Sequence, residues 1–192
     1  MNPLDPKTSA LIVIDLQQLV VRMPVAPHTA ADVVANAQRL VEAFRAAGST
    51  VILVHVEFAK DFGDRLMPIA DSAPPMAPLT PDYADFVPEV APRDGDLIIT
   101  KRQWGAFYGT DLDLQLRRRD IRTLVLCGIS TNFGVESTAR AAFEHGYDQI
   151  LVEDAMAGPS ADAHHFAVSV VFPRMGMVRG TSDVLRAIGT IV

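Results

Sequence analysis

The 192-residue chain contains a single cysteine, Cys127, and few basic residues. One cysteine cannot form an intrachain disulfide or a metal site built from several thiolates. The 17 Lys and Arg residues are outnumbered by 23 Asp and Glu residues, which gives a net charge of -6. The one basic cluster, Arg117–Arg119, is interpreted as a helix C-terminus, where cations face the negative end of the helix dipole. We therefore expect no nucleic-acid partner.

Long apolar runs and nucleotide-binding motifs are also missing from the sequence. No run approaches the roughly 18 apolar residues of a membrane-spanning helix. The first residues, MNPLDPKTSA, lack the basic and apolar regions of a signal peptide. We expect a cytoplasmic protein with no membrane partner. Neither a P-loop nor a G-x-G-x-x-G motif occurs, and we expect no cofactor.

The sequence does contain five short runs rich in Val, Ile and Leu, a composition typical of strands covered on both faces. These runs are Ala10–Ile14, Val51–Val56, Leu97–Thr100, Leu124–Cys127 and Ile150–Val152. A short strand near Met177–Val178 could follow. Segments with apolar residues at helical spacing separate several of the runs and end the chain; they cover 29–47, 112–116, 135–143, 163–171 and 182–188. This alternation predicts a single α/β domain over residues 1–192 with a mostly parallel, doubly wound sheet.

Residues 58–93 break the alternation, because they hold seven of the 13 prolines and show no clear periodicity. Loops of this length inside a compact domain are usually functional or disordered. The aromatic residues Phe58, Phe62, Tyr83 and Phe86 favour a packed, lid-like loop over a loose linker.

Charged residues stand at the ends of four of the apolar runs, namely Asp15, Glu57, Lys101 and Asp154. Ligands of open α/β sheets bind beyond the carboxyl ends of the strands, near the point where the strand order reverses. The residues after Asp15 and Lys101 are amides and aromatics, and this context favours these two charges as members of a site.

Three neighbours of these charges are candidates for substrate binding. Gln17 could hydrogen-bond a substrate or simply face the loop. Trp104 and Phe107 could form walls of a pocket for a planar or ring-containing substrate, although a core or subunit-interface role is also open for both.

Three pieces of sequence resemble the isochorismatase-like hydrolase family, also called the cysteine hydrolases. The pieces are ALIVIDLQ at 10–17, Lys101 followed by GAFYGTDL at 105–112, and CGISTNFGVESTARAAFEHGY at 127–147. The resemblance implies a Rossmann-like three-layer α/β/α sandwich that acts on a small molecule and assembles into a homodimer or a higher homo-oligomer.

The resemblance also implies roles for individual residues. In the amidases of the family an Asp acts as base, a Lys stabilises charge and a Cys attacks the carbonyl; these positions match Asp15, Lys101 and Gly134. The nucleophile position is therefore occupied by glycine. True isochorismatases of the family also lack the cysteine and hydrolyse a vinyl ether. We accordingly expect Asp15 to act as general acid or base and Lys101 to orient an anionic, isochorismate-like substrate.

A further implication of the resemblance is a non-proline cis peptide bond between Ile129 and Ser130. The amides of Ser130 and Gly134 would then face the pocket as hydrogen-bond donors.

Two other functions stay open at the level of sequence. The first is a catalytically inactive homologue that binds a ligand. The second is an amidase of the nicotinamidase or carbamoyl-amidase type that uses Cys127 or Ser130 as its nucleophile. Cys127 is better interpreted as a buried small hydrophobic residue, and Ser130 as a turn or helix-capping residue.

Nicotinamidases of this family hold a divalent ion beside the Asp. The nearest local match in this chain is His55 and Glu57, with Asp61 beyond, but no second histidine lies in that region. We therefore expect no metal.

Overall fold

The computed structural model describes residues 2–72 and 79–189, and its centre is one sheet of six parallel strands. The strands are β1 (Ser9–Ile14), β2 (Thr50–Val56), β3 (Leu97–Lys101), β4 (Thr123–Ile129), β5 (Asp148–Ala157) and β6 (Met177–Arg179). Their order is β3-β2-β1-β4-β5-β6. The order reverses between β1 and β4, which is the arrangement of a doubly wound sheet and confirms the predicted fold class.

In the described part of the chain, six α-helices connect the strands or flank the sheet. They are α1 (Gln18–Val21), α2 (Ala30–Ala46), α3 (Leu112–Arg118), α4 (Glu136–Glu144), α5 (Ala161–Phe166) and α6 (Thr181–Ile188). Thr29 caps α2 by accepting a hydrogen bond from the Asp32 amide. Among the described helices, none has the length and apolar character that crossing a membrane requires.

The central strand β1 is buried on both faces, so successive residues contribute to two different apolar layers. Leu11 and Val13 pack with α2 and α6 on one face, whereas Ile12 and Ile14 pack with α3 and α4 on the other. Strand residues alternate between faces with a period of two, and helices cover each face. The three layers of the α/β/α sandwich follow from this pattern.

The strands β1 and β4 approach closely just before the site. Gly128 has a φ of +125°, and a Cβ there would lie 2.0 Å from the Ile14 carbonyl oxygen. Only glycine fits such a position, because any side chain would collide with the neighbouring backbone.

The edge strand β3 differs from the sequence prediction of a strand covered on both faces. Ile98 is 51% exposed, because β3 has a neighbouring strand on one side only and helices do not cover its end of the sheet fully. Strand β5 is also longer than predicted. It continues through the polar pair Glu153 and Asp154, which interrupts its apolar run, and then pairs again with the end of β4.

The proline-rich segment 58–93 is only partly described, because residues 73–78, including Pro74, Pro75 and Pro78, lie outside the described residues. In its described part, the backbone around Tyr83 packs on the turn that follows β1. The amides of Gln18 and Leu19 donate to the carbonyl oxygens of Asp85 and Tyr83 at 2.8 and 3.2 Å. The Tyr83 ring stacks on Phe58. The stretch around Tyr83 is therefore packed, whereas Phe62, at 46% exposed, and Leu66, Met67 and Ile69 are exposed.

Candidate active site

Two opposite charges meet at the carboxyl edge of the sheet, although β1 and β3 are not neighbours. Asp15 follows β1, Lys101 ends β3, and β2 lies between them. Alternate strands are about 9.6 Å apart, a span that an extended lysine and an aspartate cover together. Lys101 Nζ donates to Asp15 Oδ2 at 2.6 Å. The ion pair is buried, with side-chain exposures of 1% for Lys101 and 9% for Asp15.

The backbone leaves its extended conformation at Asp15, directly after β1. Asp15 has a φ of +54°, a left-handed conformation that aspartate tolerates better than most residues. Its amide donates to the Val54 carbonyl oxygen at 2.9 Å, which anchors the turn to β2. The side chain is thereby held at the reversal point of the strand order.

Lys101 is fixed from two sides. Besides Asp15, its ammonium group donates to the Trp104 carbonyl oxygen at 2.8 Å. An ammonium group has three donors, and the third has no partner among the described residues. It is available to an acceptor on a substrate, such as a carboxylate.

The Asp15 carboxyl group has a pKa raised above its usual value, because burial penalises its charged form more than Lys101 favours it. Its Oδ1 atom is buried and has no hydrogen-bond partner among residues 2–72 and 79–189. One oxygen of Asp15 is thus held by the lysine, while the other is free to exchange a proton with a bound molecule.

Gly134 lies directly against this pair. A Cβ at Gly134 would lie 3.1 Å from Asp15 Oδ2, 3.6 Å from Lys101 Nζ and 3.0 Å from Ile14 Cγ2. Any side chain at this position would point at the two charges. Glycine lets the turn lie this close to the two charges, because even a Cβ would be tightly crowded there. The residue belongs to a π-helical turn, Thr131–Val135, that precedes α4.

The turn between β4 and α4 contains the cis peptide bond at Ile129–Ser130, where the resemblance places it. The Ser130 carbonyl oxygen accepts hydrogen bonds from the amides of Phe133 and Val135 at 3.2 and 3.1 Å. These bonds close the turn and hold Gly134 beside Asp15.

Gln17 is buried, and its side chain bonds protein backbone. Its Oε1 accepts from the Val56 amide at 2.7 Å, and its Nε2 donates to the carbonyl oxygens of Val56 and Tyr83 at 3.0 and 2.9 Å. Both Nε2 protons are thereby used in hydrogen bonds within the protein. Gln17 therefore faces the loop, where it connects the segment around Tyr83 to the end of β2.

The two aromatic candidates differ in position. Trp104 is 62% exposed, and its ring lies 4.8 Å from the Phe133 ring, which belongs to the turn that carries Gly134. Phe107, in contrast, is a core residue that stacks on His145 and packs near Tyr147. The expectation that Phe107 forms a pocket wall is corrected, because its ring is directed into the apolar layer around α4.

The other charged residues at the predicted strand ends do not join the pair. Asp154 lies inside β5 and accepts from the amide and hydroxyl of Thr181, so it secures the start of α6. Glu57 is exposed. His55 uses both ring nitrogens within the protein, with the Ala84 carbonyl oxygen at 2.8 Å and Thr100 Oγ1 at 2.9 Å.

Neither alternative nucleophile has the environment that it needs. Burial raises the pKa of the Cys127 thiol to about 12, and Cys127 packs in the apolar layer with α2 and α6. His164, in α5, contacts the turn that contains Ser130, but it shares its hydrogen bond with Thr131 and not with Ser130. A nucleophilic serine or cysteine requires a base or a lowered pKa.

We expect native Cys127 to resist alkylation. At pH 8 a thiol with this pKa is ionised in about one molecule in ten thousand, and only the thiolate reacts. Iodoacetamide should leave Cys127 unmodified in the folded protein and modify it in urea, as measured by mass spectrometry. The exposed variant Ser182→Cys serves as a reactive control, and Cys127→Ala should retain full activity. Rapid labelling of native Cys127 with loss of activity would contradict this interpretation.

Comparison with known proteins identifies relatives of this chain. The family described as "Isochorismatase domain" matches residues 9–183. The chain is 45% identical over 188 residues to an uncharacterized isochorismatase family protein, YecD, of Escherichia coli O157:H7, covering 98% of this chain and all of that one. A solved structure of an isochorismatase family protein from Burkholderia thailandensis matches with a TM-score of 0.94 at 44% identity, covering 99% of this chain and 100% of that chain.

A relative with a named activity matches over a shorter stretch. The chain is 41% identical over 112 residues to the ureidoacrylate amidohydrolase RutB of Azorhizobium caulinodans, covering 57% of this chain and 48% of that protein. The match over nearly the whole domain and the agreement in fold lead to one conclusion: this chain belongs to the isochorismatase family.

Proposed function

We propose that this isochorismatase-family hydrolase cleaves a small anionic vinyl ether, of the isochorismate type, without forming a covalent intermediate. Asp15 is the proton donor, and Lys101 orients the anionic group of the substrate. The observation that supports this proposal most directly is an aspartate whose pKa is raised by burial and against which Gly134, a residue with no side chain to act as nucleophile, is packed.

Hydrolysis of a vinyl ether needs an acid but no enzyme nucleophile. A proton from Asp15 is added to the terminal carbon of the double bond, which leaves an oxocarbenium ion at the ether carbon. Water adds to that carbon and loses a proton, which can return to Asp15. The resulting hemiketal collapses to an alcohol and a ketone, and from a pyruvate enol ether the ketone is pyruvate. A carboxyl group whose pKa is raised by burial holds its proton to a higher pH than a solvated one does, which suits the first step.

The position of Lys101 fits the charge of such a substrate. Its ammonium group is held by Asp15 and the Trp104 carbonyl oxygen, and one donor is left for a substrate carboxylate. A buried cation attracts an anion strongly, because little water screens the interaction. Trp104 and Phe133 supply aromatic surface near the turn, where a ring of the substrate could pack.

Amide hydrolysis by the cysteine mechanism lacks its nucleophile in this chain. The residue beside Asp15 and Lys101 is glycine, and Cys127 is directed to the opposite face of the sheet. Because a ureidoacrylate amidohydrolase is among the relatives, amides are the appropriate comparison substrates.

A substrate panel tests the proposal. Purified protein is incubated separately with isochorismate, with ureidoacrylate and with nicotinamide; pyruvate and ammonia are measured in coupled assays. We expect pyruvate from isochorismate and no ammonia from either amide. The Asp15→Asn variant, prepared in parallel, excludes a contaminating host enzyme as the source of pyruvate.

The other outcomes separate the alternatives. Ammonia release without pyruvate would replace the proposal with an amidase. A ligand that raises the melting temperature without any product would favour a protein that binds but does not catalyse.

A further inference from the structure

A second group of ionisable side chains lies apart from Asp15 and Lys101. It consists of His28, in the loop before α2, Glu153, in β5, and His164, in α5. The Glu153 Oε1 atom lies 2.9 Å from His28 Nε2 and 3.6 Å from His164 Nε2. The three atoms that could act as ligands all lie within 4.8 Å of one another. We call this group the His–Glu–His cluster.

The buried His164 side chain uses only one of its two ring nitrogens in a hydrogen bond within the described part of the protein. Its side chain is 3% exposed, and its Nδ1 lies 2.8 Å from Thr131 Oγ1, with which it shares a hydrogen bond. Its Nε2 is buried and has no hydrogen-bond partner among the described residues. Buried polar atoms rarely stay unpaired, so this nitrogen needs an explanation. It is directed into the His–Glu–His cluster.

The hydrogen bond of His164 to Thr131 suits a metal ligand. When Nδ1 carries the ring proton and donates to Thr131, the lone pair of Nε2 is free. A metal-bound histidine usually has this arrangement, with its other nitrogen held by a hydrogen-bond partner that fixes the ring.

The loop that carries His28 is anchored against the end of β5. The Ala26 amide donates to the Gly158 carbonyl oxygen at 2.7 Å, and the Gly158 amide donates to the Ala26 carbonyl oxygen at 2.9 Å. This pair of hydrogen bonds places His28 beside Glu153 independently of any ligand.

We propose that the His–Glu–His cluster binds one divalent transition-metal ion, with zinc as the expected metal. Two imidazoles and one carboxylate are a ligand set that zinc uses in proteins. Bonds of 2.0–2.1 Å in a tetrahedral site separate the ligand atoms by about 3.3 Å. The observed separations of 2.9 and 3.6 Å from Glu153 bracket that value.

The fourth position of the metal faces water. The side chains of His28 and Glu153 are 30% and 36% exposed, whereas that of His164 closes the inner side. Through Thr131 the site adjoins the turn that contains Ser130 and Gly134, so a bound metal stabilises this turn. None of the three ligands belongs to the Asp15 and Lys101 pair, and the site therefore does not depend on the proposed reaction.

Zinc titration of the chelator-treated full chain tests the assignment. Isothermal titration calorimetry and elemental analysis after dialysis should both give one zinc ion per chain. Cobalt in place of zinc should give the visible absorption of a tetrahedral site. The His164→Asn and Glu153→Gln variants should bind zinc at least about 100-fold more weakly, because each loses a direct ligand. His165→Asn, which alters the exposed neighbour on the same helix, is the matched control and should bind as the wild type does.

Two further variants keep the test decisive. His28→Gln changes a partly exposed side chain and should also lose zinc while keeping the circular dichroism of the folded chain. Thr131→Val removes the hydrogen bond to Nδ1 and should weaken zinc binding by about 10- to 100-fold, as expected for a partner of a metal ligand. The proposal is overturned if the wild type binds no zinc, or if folded ligand variants bind it as tightly as His165→Asn does. Either result leaves the reaction at Asp15 unaffected, because no turnover is measured.

Discussion

Replacing Asp15 with asparagine should lower kcat/KM for isochorismate by about 10²- to 10⁴-fold, the usual contribution of a general acid. Asparagine has nearly the same shape and can still accept from Lys101, but it has no acidic proton to give. The measurement is the initial rate of pyruvate release. Asp94→Asn, which changes an exposed carboxylate, is the control and should leave the rate unchanged.

The pH dependence of kcat/KM tests the role of Asp15 as proton donor independently. The proton donor must be protonated, so the wild-type kcat/KM should fall as the pH rises through the raised pKa of Asp15. The residual activity of Asp15→Asn should lack this decline. A profile that instead rises with pH over the same interval would show that Asp15 acts as a base. Unchanged turnover in the variant would eliminate Asp15 from the reaction.

Replacing Lys101 with methionine should destabilise the protein by about 3–5 kcal/mol at pH 8, because it leaves a buried carboxylate without its partner. The loss should be smaller at acidic pH. Without the lysine the pKa of Asp15 rises further, since the ion pair is what lowers it. A carboxyl group whose folded pKa lies above its unfolded value stabilises the fold at low pH, and this contribution disappears as the pH rises through the folded pKa.

Urea unfolding of Lys101→Met at pH 5 and pH 8 measures this effect. The free energy of unfolding should decrease toward pH 8, relative to the wild type. Two controls isolate the cause. Lys60→Met removes an exposed ammonium group and should have little effect. The double variant Asp15→Asn with Lys101→Met has no buried carboxylate and should lose the extra pH dependence. An equal loss at both pH values in Lys101→Met would show that packing, and not charge, determines its stability.

The sheet was predictable because its strands have a strong local signal. The near-continuous apolar runs of β1 and β4 are long enough to identify, and helical segments between strands imply parallel pairing. The limits of β5 were not predictable, because Glu153 and Asp154 interrupt its apolar pattern. Glu153 belongs to the His–Glu–His cluster and Asp154 binds the start of α6, and both sets of partners are distant in sequence.

The candidate site was predictable in part for a related reason. Residues that follow parallel strands meet at one edge of the sheet, so their positions in the sequence suffice to bring Asp15 and Lys101 together. Gln17 and Phe107 were harder to place. Whether an amide bonds backbone or a substrate, and whether an aromatic ring faces a pocket or the core, depends on neighbours that local spacing does not reveal.

The order of the apolar runs and the residues at their ends were enough to predict a doubly wound sheet and a charged pair at its carboxyl edge. These features follow from local periodicity and from the geometry shared by all parallel sheets. Three features emerged from the three-dimensional packing alone: burial outweighs Lys101 in setting the pKa of Asp15, Gly134 lies directly against both charges, and His28, Glu153 and His164 converge. Desolvation, close approach and convergence of distant segments arise from packing, which no short stretch of sequence specifies.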